Sequence, residues 1–158
     1  MTGCKYTPVM EVQEERWDMC FTASMKGIFS LTRKLGPGMV ERQYGKIGND
    51  SPVEHAGATG HADYAAAKAR GVTSLTCSLA GELALHVNVY WVAPGIIRTL
   101  ALRDVGQAVA DHFAQKNLLK RRGGPEDIAN TALVLAGDES RYIAGVTIPV
   151  SGGLWSGL

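Results

Sequence analysis

Three short runs of strand-forming residues are set between long helical stripes, and this alternation restricts the chain to a layered α/β arrangement. Residues 87–92 (Val-Asn-Val-Tyr-Trp-Val) are almost wholly apolar, as in a strand covered on both faces, and the run is cut by Ala93-Pro94-Gly95. Residues 44–49 read as a shorter strand. Val146, Ile148 and Val150 alternate as a third, and Pro149 inside it points to a sheet edge. Between these runs, Trp17, Phe21, Ser24, Ile28, Leu31 and Leu35 recur at helical spacing over about 11–35, and Gly36-Pro37-Gly38 marks the expected stop. A second long helix is expected over about 62–84, with Val72, Leu75, Leu79 and Leu83 as its stripe. Ala65, Ala66, Ala67 and Ala69 on it let another backbone approach. A variable helical region follows over about 99–116. Gly124-Pro125-Glu126-Asp127 then opens a helix that runs to about Ala136, with Gly137 as its cap. The order α-β-α-β-α-α-β implies a parallel sheet of about three strands with helices on both faces.

Composition narrows the function classes. The 158 residues suit one domain, and 46% hydrophobic with 20% charged residues is an ordinary folded composition. Sixteen Lys and Arg against fifteen Asp and Glu leave a formal charge of +1, with no basic excess to drive binding to nucleic acid or an anionic membrane. Cys4, Cys20 and Cys77 contain no C-x-x-C pair and cannot close into a complete disulfide set, so a reducing, cytosolic setting is expected. The apolar stretch 87–97 is too short to span a bilayer, and the first residues show no signal-peptide pattern. His55, His61, His86 and His112 lack zinc-type spacing, so no metal site is expected. Ser51 has no G-x-S-x-G context that would make it a hydrolase nucleophile.

The chemistry concentrates at Tyr64-Ala65-Ala66-Ala67-Lys68. On a helix this spacing puts a phenol and an ammonium on one face, and a cation beside a phenol favours the phenolate. Such a tyrosine can exchange a proton with an alcohol or carbonyl near neutral pH. Alone the pair is weak, since a surface Tyr and Lys match it by chance. Ser51 lies thirteen residues upstream, where the strand 44–49 gives way to a loop, and its hydroxyl could hold a carbonyl oxygen beside the phenol. Ser51 and the Pro94-Gly95 turn both fall at carboxyl ends of strands, where parallel sheets bind their ligands.

Taken in order, these pieces resemble the short-chain dehydrogenase/reductase family. Glu15-Arg16-Trp17-Asp18 and Met25-Lys26-Gly27 look like its fourth helix. Tyr44-Gly45-Lys46-Ile47 with Ser51 looks like its fifth strand and catalytic serine. The Tyr64/Lys68 helix, the Pro94-Gly95 turn, Arg122-Gly123-Gly124-Pro125-Glu126-Asp127-Ile128-Ala129, and Tyr142-Ile143-Ala144-Gly145 ending in Gly152-Gly153 follow in family order. Within the family, residues 37–42 and 150–154 resemble 3-oxoacyl carrier-protein reductases and related enzymes. The resemblance implies the second half of a doubly wound, Rossmann-like parallel sheet, making residues 1–158 a single truncated domain that runs from the fourth helix onward. It implies NAD or NADP as cofactor and a small alcohol or ketone as substrate. Tyr64 becomes the general acid/base, Lys68 lowers its pKa and contacts the nicotinamide ribose, and Ser51 orients the substrate oxygen. Ser24 takes the place of a relay asparagine. Pro94, Gly95, Ile97 and Thr99 hold the nicotinamide carboxamide. A homo-oligomer through the helices 11–35 and 62–84 is also implied.

The sequence departs from that pattern in several places. No T-G-x-x-x-G-x-G turn and no N-N-A-G segment occurs. Asp50 puts a charge in a parallel strand, Tyr90 stands where asparagine is usual, and Ser151 replaces an aspartate before Gly152-Gly153. A second reading therefore stands beside the first: a non-catalytic homologue serving as an interaction subunit, or a gene fragment that does not bind cofactor.

Overall fold

The computed structural model describes residues 6–52, 59–100 and 107–154. The chain enters through α1 (Glu14–Phe21), widens into a π turn (Thr22–Lys26) and continues as α2 (Gly27–Glu41). Strand β1 (Gly45–Asp50) follows. Next come α3 (Ala62–Ala65), a second π turn (Ala66–Arg70) and α4 (Gly71–Glu82). Strand β2 (Val87–Pro94), α5 (Gln107–Lys116), α6 (Pro125–Ala136) and β3 (Thr147–Val150) complete the order.

The sheet has the order β1-β2-β3 and both pairings are parallel. Gly45 pairs with Val87 and Asp50 with Val92, while Trp91 pairs with Thr147 and Pro94 with Val150. Because side chains alternate along a strand, β2 serves both faces. Trp91 and Ala93 pack with Val72 of α4 and with Met25 and Ile28. Tyr90 and Val92 pack with Leu135 of α6, Ile128, Ile148 and Val150. The central strand is thus the core of the fold, and its carboxyl end carries the Pro-Gly turn. Pro149 sits exposed on β3, which pairs with β2 alone, as its missing N–H requires.

The expected start of α6 is met in detail. Pro125 takes the first position, and the Gly124 N–H donates to Asp127 Oδ2 at 2.8 Å. One expectation needs correction. The first long helix does not stop at Gly36-Pro37-Gly38; these residues lie inside α2, which runs to Glu41. Its end is a Schellman turn: Gln43 adopts φ 55°, its N–H donates to Val40 O at 3.0 Å, and the Tyr44 N–H donates to Met39 O at 3.0 Å. Glutamine instead of glycine at the left-handed position hides this stop. On the helical stripe itself, Ser24 is buried while Leu31 is 63% and Leu35 54% exposed. Of the helix expected over 99–116, the described part is α5, which ends at Lys116 as expected, and residues 101–106 lie outside the described segments.

Candidate active site

Ser51 follows β1 directly. Its N–H donates to Val92 O at 3.2 Å, and the Trp91 Nε1–H donates to Ser51 O at 2.8 Å. Main chain on both sides of the residue is thereby tied to β2, and Ser51 is 1% exposed. Its Oγ has no hydrogen-bond partner among the described residues. A buried hydroxyl without a partner forfeits on the order of 1–3 kcal/mol, so such a group calls for an explanation.

The Pro-Gly turn lies one strand over. The Gly95 N–H donates to Val150 O at 3.0 Å, and a Cβ at Gly95 would sit 2.7 Å from Ser151 Cα. Only glycine fits this approach of two main chains. Beyond it, Ile97 bridges Gly123, the Arg98 N–H donates to Gly123 O and the Gly123 N–H to Ile96 O, each at 2.9 Å. Ile97, Ser151 and Gly152 line a cleft of about 330 Å³ rimmed by Arg121 and Asp127. Arg121 Nη1 donates to Asp127 Oδ2 at 2.8 Å. This pair, with the Gly124 N–H, holds the Asp127 carboxyl down at about 2. Thr99 is exposed.

Tyr64 sits half-buried in the short α3, and Lys68, also half-buried, lies in the π turn that follows. The Lys68 charge is felt at the end of β1: burial pushes the Asp50 carboxyl up, and Lys68 opposes that rise. Asp50 directly precedes Ser51, so Lys68 and Ser51 belong to the same end of the sheet. Ser24 is buried in the other π turn, which packs against the turn carrying Lys68. Single π turns inside α-helices gather at functional sites, and here two of them meet. The Met25 sulfur lies 2.8 Å from where a Gly71 Cβ would stand, so the glycine admits this crossing.

Two charged groups at this end have surroundings that the sequence does not reveal. Asp63, beside Tyr64, is fully buried, and Arg16 Nε donates to its Oδ2 at 2.6 Å. Burial works to raise this carboxyl. The Tyr64 N–H, the Arg16 guanidinium and the Cys20 thiol outweigh burial and hold it below the usual range. The available signal was an acid in the first turn of the Tyr64 helix, but its partner lies 47 residues away. In the sequence Asp50 stands out only as a charge in a parallel strand, and the effect of Lys68 on it has no sequence signature.

Residues 2–155 match the family described as enoyl-(acyl carrier protein) reductase. The 3-oxoacyl-(acyl-carrier-protein) reductase of Staphylococcus aureus strain Mu50 is 40% identical over 153 residues, covering 93% of this chain and 60% of that protein. The acetoacetyl-CoA reductase of Allochromatium vinosum is 34% identical over 147 residues, covering 92% and 59%. Among solved structures, a gluconate 5-dehydrogenase from Burkholderia cenocepacia in complex with NADP and tartrate superposes with TM-score 0.89 at 26% identity, covering 98% of this chain and 62% of that one. A 3-oxoacyl-(acyl-carrier protein) reductase from Brucella melitensis with bound NAD gives 0.84 at 30% identity, covering 96% and 57%. The chain thus spans about three fifths of the length of these relatives. With nearly all of its residues matched and its strands and turns in the same order, the chain belongs to the short-chain dehydrogenase/reductase family.

Proposed function

We propose that this chain carries the proton-transfer and nicotinamide-facing half of an NAD(P)-dependent oxidoreductase acting on a secondary alcohol or ketone, with 3-oxoacyl thioesters the favoured substrates. The observation that carries the reading is Ser51: a fully buried hydroxyl without a partner among the described residues, held at the carboxyl end of β1, next to the residue that senses Lys68. A substrate carbonyl oxygen is the acceptor it lacks. The names of the relatives, 3-oxoacyl-(acyl-carrier-protein) reductase and acetoacetyl-CoA reductase, support the substrate class.

The residues present fit the nicotinamide end of the cofactor. Gly95 and Ile97 offer main chain at the strand ends, Pro94 fixes the turn and Thr99 adds a hydroxyl at its far side. When bound, the nicotinamide supplies or accepts the hydride at the carbonyl carbon. In the reducing direction, Ser51 donates a hydrogen bond to the substrate oxygen and Tyr64 gives its phenolic proton to that oxygen, leaving a phenolate. Lys68 stabilises that phenolate, and Ser24, buried on the packed π turn, would hold a water that relays the proton. In the oxidising direction each transfer reverses.

Exposed Phe29, Leu31 and Leu35 on α2 support pairing of two copies through the helices 11–35 and 62–84.

The test is NADH and NADPH binding, followed by nicotinamide fluorescence, together with reduction of an acetoacetyl thioester. Micromolar binding and turnover are expected. Ser51→Ala and Lys68→Met should each lower kcat by about 10²–10⁴-fold. A chain that binds neither nucleotide would support the interaction-subunit reading instead.

A further inference from the structure

The first turn of the Tyr64 helix has a problem that the fold solves in an unusual way. The first N–H groups of any α-helix lack intrahelical acceptors. In α3 the Ala65 N–H makes the first bond within the helix, to His61 O at 2.8 Å, and the Tyr64 N–H comes just before it. The residue before the helix, His61, makes no side-chain cap bond. The Tyr64 N–H acts on the adjacent Asp63 carboxylate, helping to hold it below the usual range. That carboxylate is fully buried and anchored on α1: Arg16 Nε reaches Oδ2 at 2.6 Å, Arg16 Nη2 reaches Oδ1 at 3.5 Å and Cys20 Sγ reaches Oδ2 at 3.7 Å. Arg16 is itself braced, since its Nη1 donates to Thr7 Oγ1 at 2.5 Å. One buried acid, next to Tyr64 in the chain, therefore ties the first turn of α3 to a different helix.

We propose that Asp63, gripped by Arg16, is a positioning residue for Tyr64, fixing the first turn of α3 so that the phenol stays aligned with Lys68. The inference rests on the reading of Tyr64 as the acid/base. Geometry supplies the reason such an anchor is needed. Helix α3 is a single turn and passes at once into a π turn that carries Lys68. In a π turn the side-chain directions differ from those of an α-helix, so Tyr64 and Lys68 are not held in line by regular helix geometry alone. The groups that bear on the Asp63 carboxylate are Arg16 and Cys20 from α1 and the Tyr64 N–H from its own helix.

The sign of one substitution separates positioning from simple electrostatics. Removing an anion next to a phenol would by charge alone make the phenol more acidic. Loss of alignment with Lys68 would make it less acidic. The experiment is an ultraviolet titration of tyrosinate on the full chain, with Tyr64→Phe subtracted to isolate this one phenol among five tyrosines. In the parent, Tyr64 is expected to titrate below the ordinary value of about 10. Asp63→Asn is expected to raise that midpoint, reducing the tyrosinate fraction at a given pH about tenfold. Arg16→Met should do the same, and the double variant should shift no further than either single one, because the pair acts as a unit. Arg16→Lys, which keeps the charge but loses the fork, should retain part of the effect and serves if Asp63→Asn does not fold. A depressed midpoint in the parent that stays unchanged or falls in Asp63→Asn overturns the positioning role and leaves the acid/base reading standing. A parent midpoint at the ordinary value overturns both.

Discussion

Tyr90 lays its ring across Gly48, its register partner on β1. A Cβ at Gly48 would stand 2.9 Å from Tyr90 Cε2, and the ring cannot swing away because its OH donates to Leu135 O at 2.5 Å. The large residue on β2 and the absent side chain on β1 are one packing unit. Burial also pushes the pKa of the Tyr90 phenol up, making it a weaker acid than an exposed tyrosine. Gly48→Ala should therefore destabilise, although alanine normally suits a strand better than glycine. Overpacking of this kind costs about 1–3 kcal/mol, which corresponds to roughly 2–10 °C in melting temperature for a chain of this size. Thermal unfolding followed by circular dichroism measures it, and an unchanged or higher Tm would show that the ring is free to move.

The charge at Asp50 predicts a pH-dependent gain on removal. Its carboxyl is raised by burial, against the pull of Lys68. A raised carboxylate pKa means that the folded state binds the proton more tightly than the unfolded state. Stability is then lost as pH climbs from about 4 through the raised value. Asp50→Asn should leave acid stability unchanged and increase stability at neutral pH, read as a small rise in Tm. Parallel melts at low and neutral pH test this, and a loss at neutral pH would mean that the acid instead forms a favourable pair with Lys68.

Asp127 behaves in the opposite sense. Arg121 and the Gly124 N–H hold its pKa at about 2, below its ordinary 3.8. The stabilisation is complete above pH 4 and disappears as pH falls through the interval between those two values. Arg121→Gln should move the carboxyl back toward its ordinary value while the Gly124 N–H keeps part of the depression. A carbon-detected titration of the Asp127 carboxyl gives the answer directly; an unmoved midpoint would assign the whole effect to the helix N-terminus.

The outward face of α2 makes a prediction about assembly. Leu31 and Leu35 are one helical turn apart and both more than half exposed. Leu31→Glu should convert a self-associated species into one of about the 16.8 kDa chain mass in light scattering, with unchanged circular dichroism. A parent chain that is already monomeric at high concentration would remove this reading.

What could be read from the sequence follows from where the physics is local. The Pro125-Glu126-Asp127 start of α6 and the apolar run of β2 were visible because caps and doubly covered strands leave their mark within a few residues. The edge position of β3 was visible for the same reason, through Pro149. The end of α2 was not, because the left-handed position holds Gln43, which hydrogen bonds from Gln43 and Tyr44 back into the helix secure in place of the usual glycine. Neither π turn has a sequence signature, so the segments holding Ser24 and Lys68 read as plain α-helix. At the site, the order of Ser51, Tyr64, Lys68 and Gly95 was legible as a pattern. The Arg16–Asp63 pair and the closeness of Asp50 to Lys68 were not, since each depends on how distant segments cross.

The central claim is that Tyr64 transfers the proton in a nicotinamide-dependent reaction, and the most direct measurement is steady-state reduction of an acetoacetyl thioester by NADPH and NADH with the parent chain and Tyr64→Phe. The account predicts turnover by the parent and a kcat at least about 100-fold lower in the variant, with the fold intact. Equal rates for the two chains, or no turnover by a parent chain that binds the nucleotide, would contradict it.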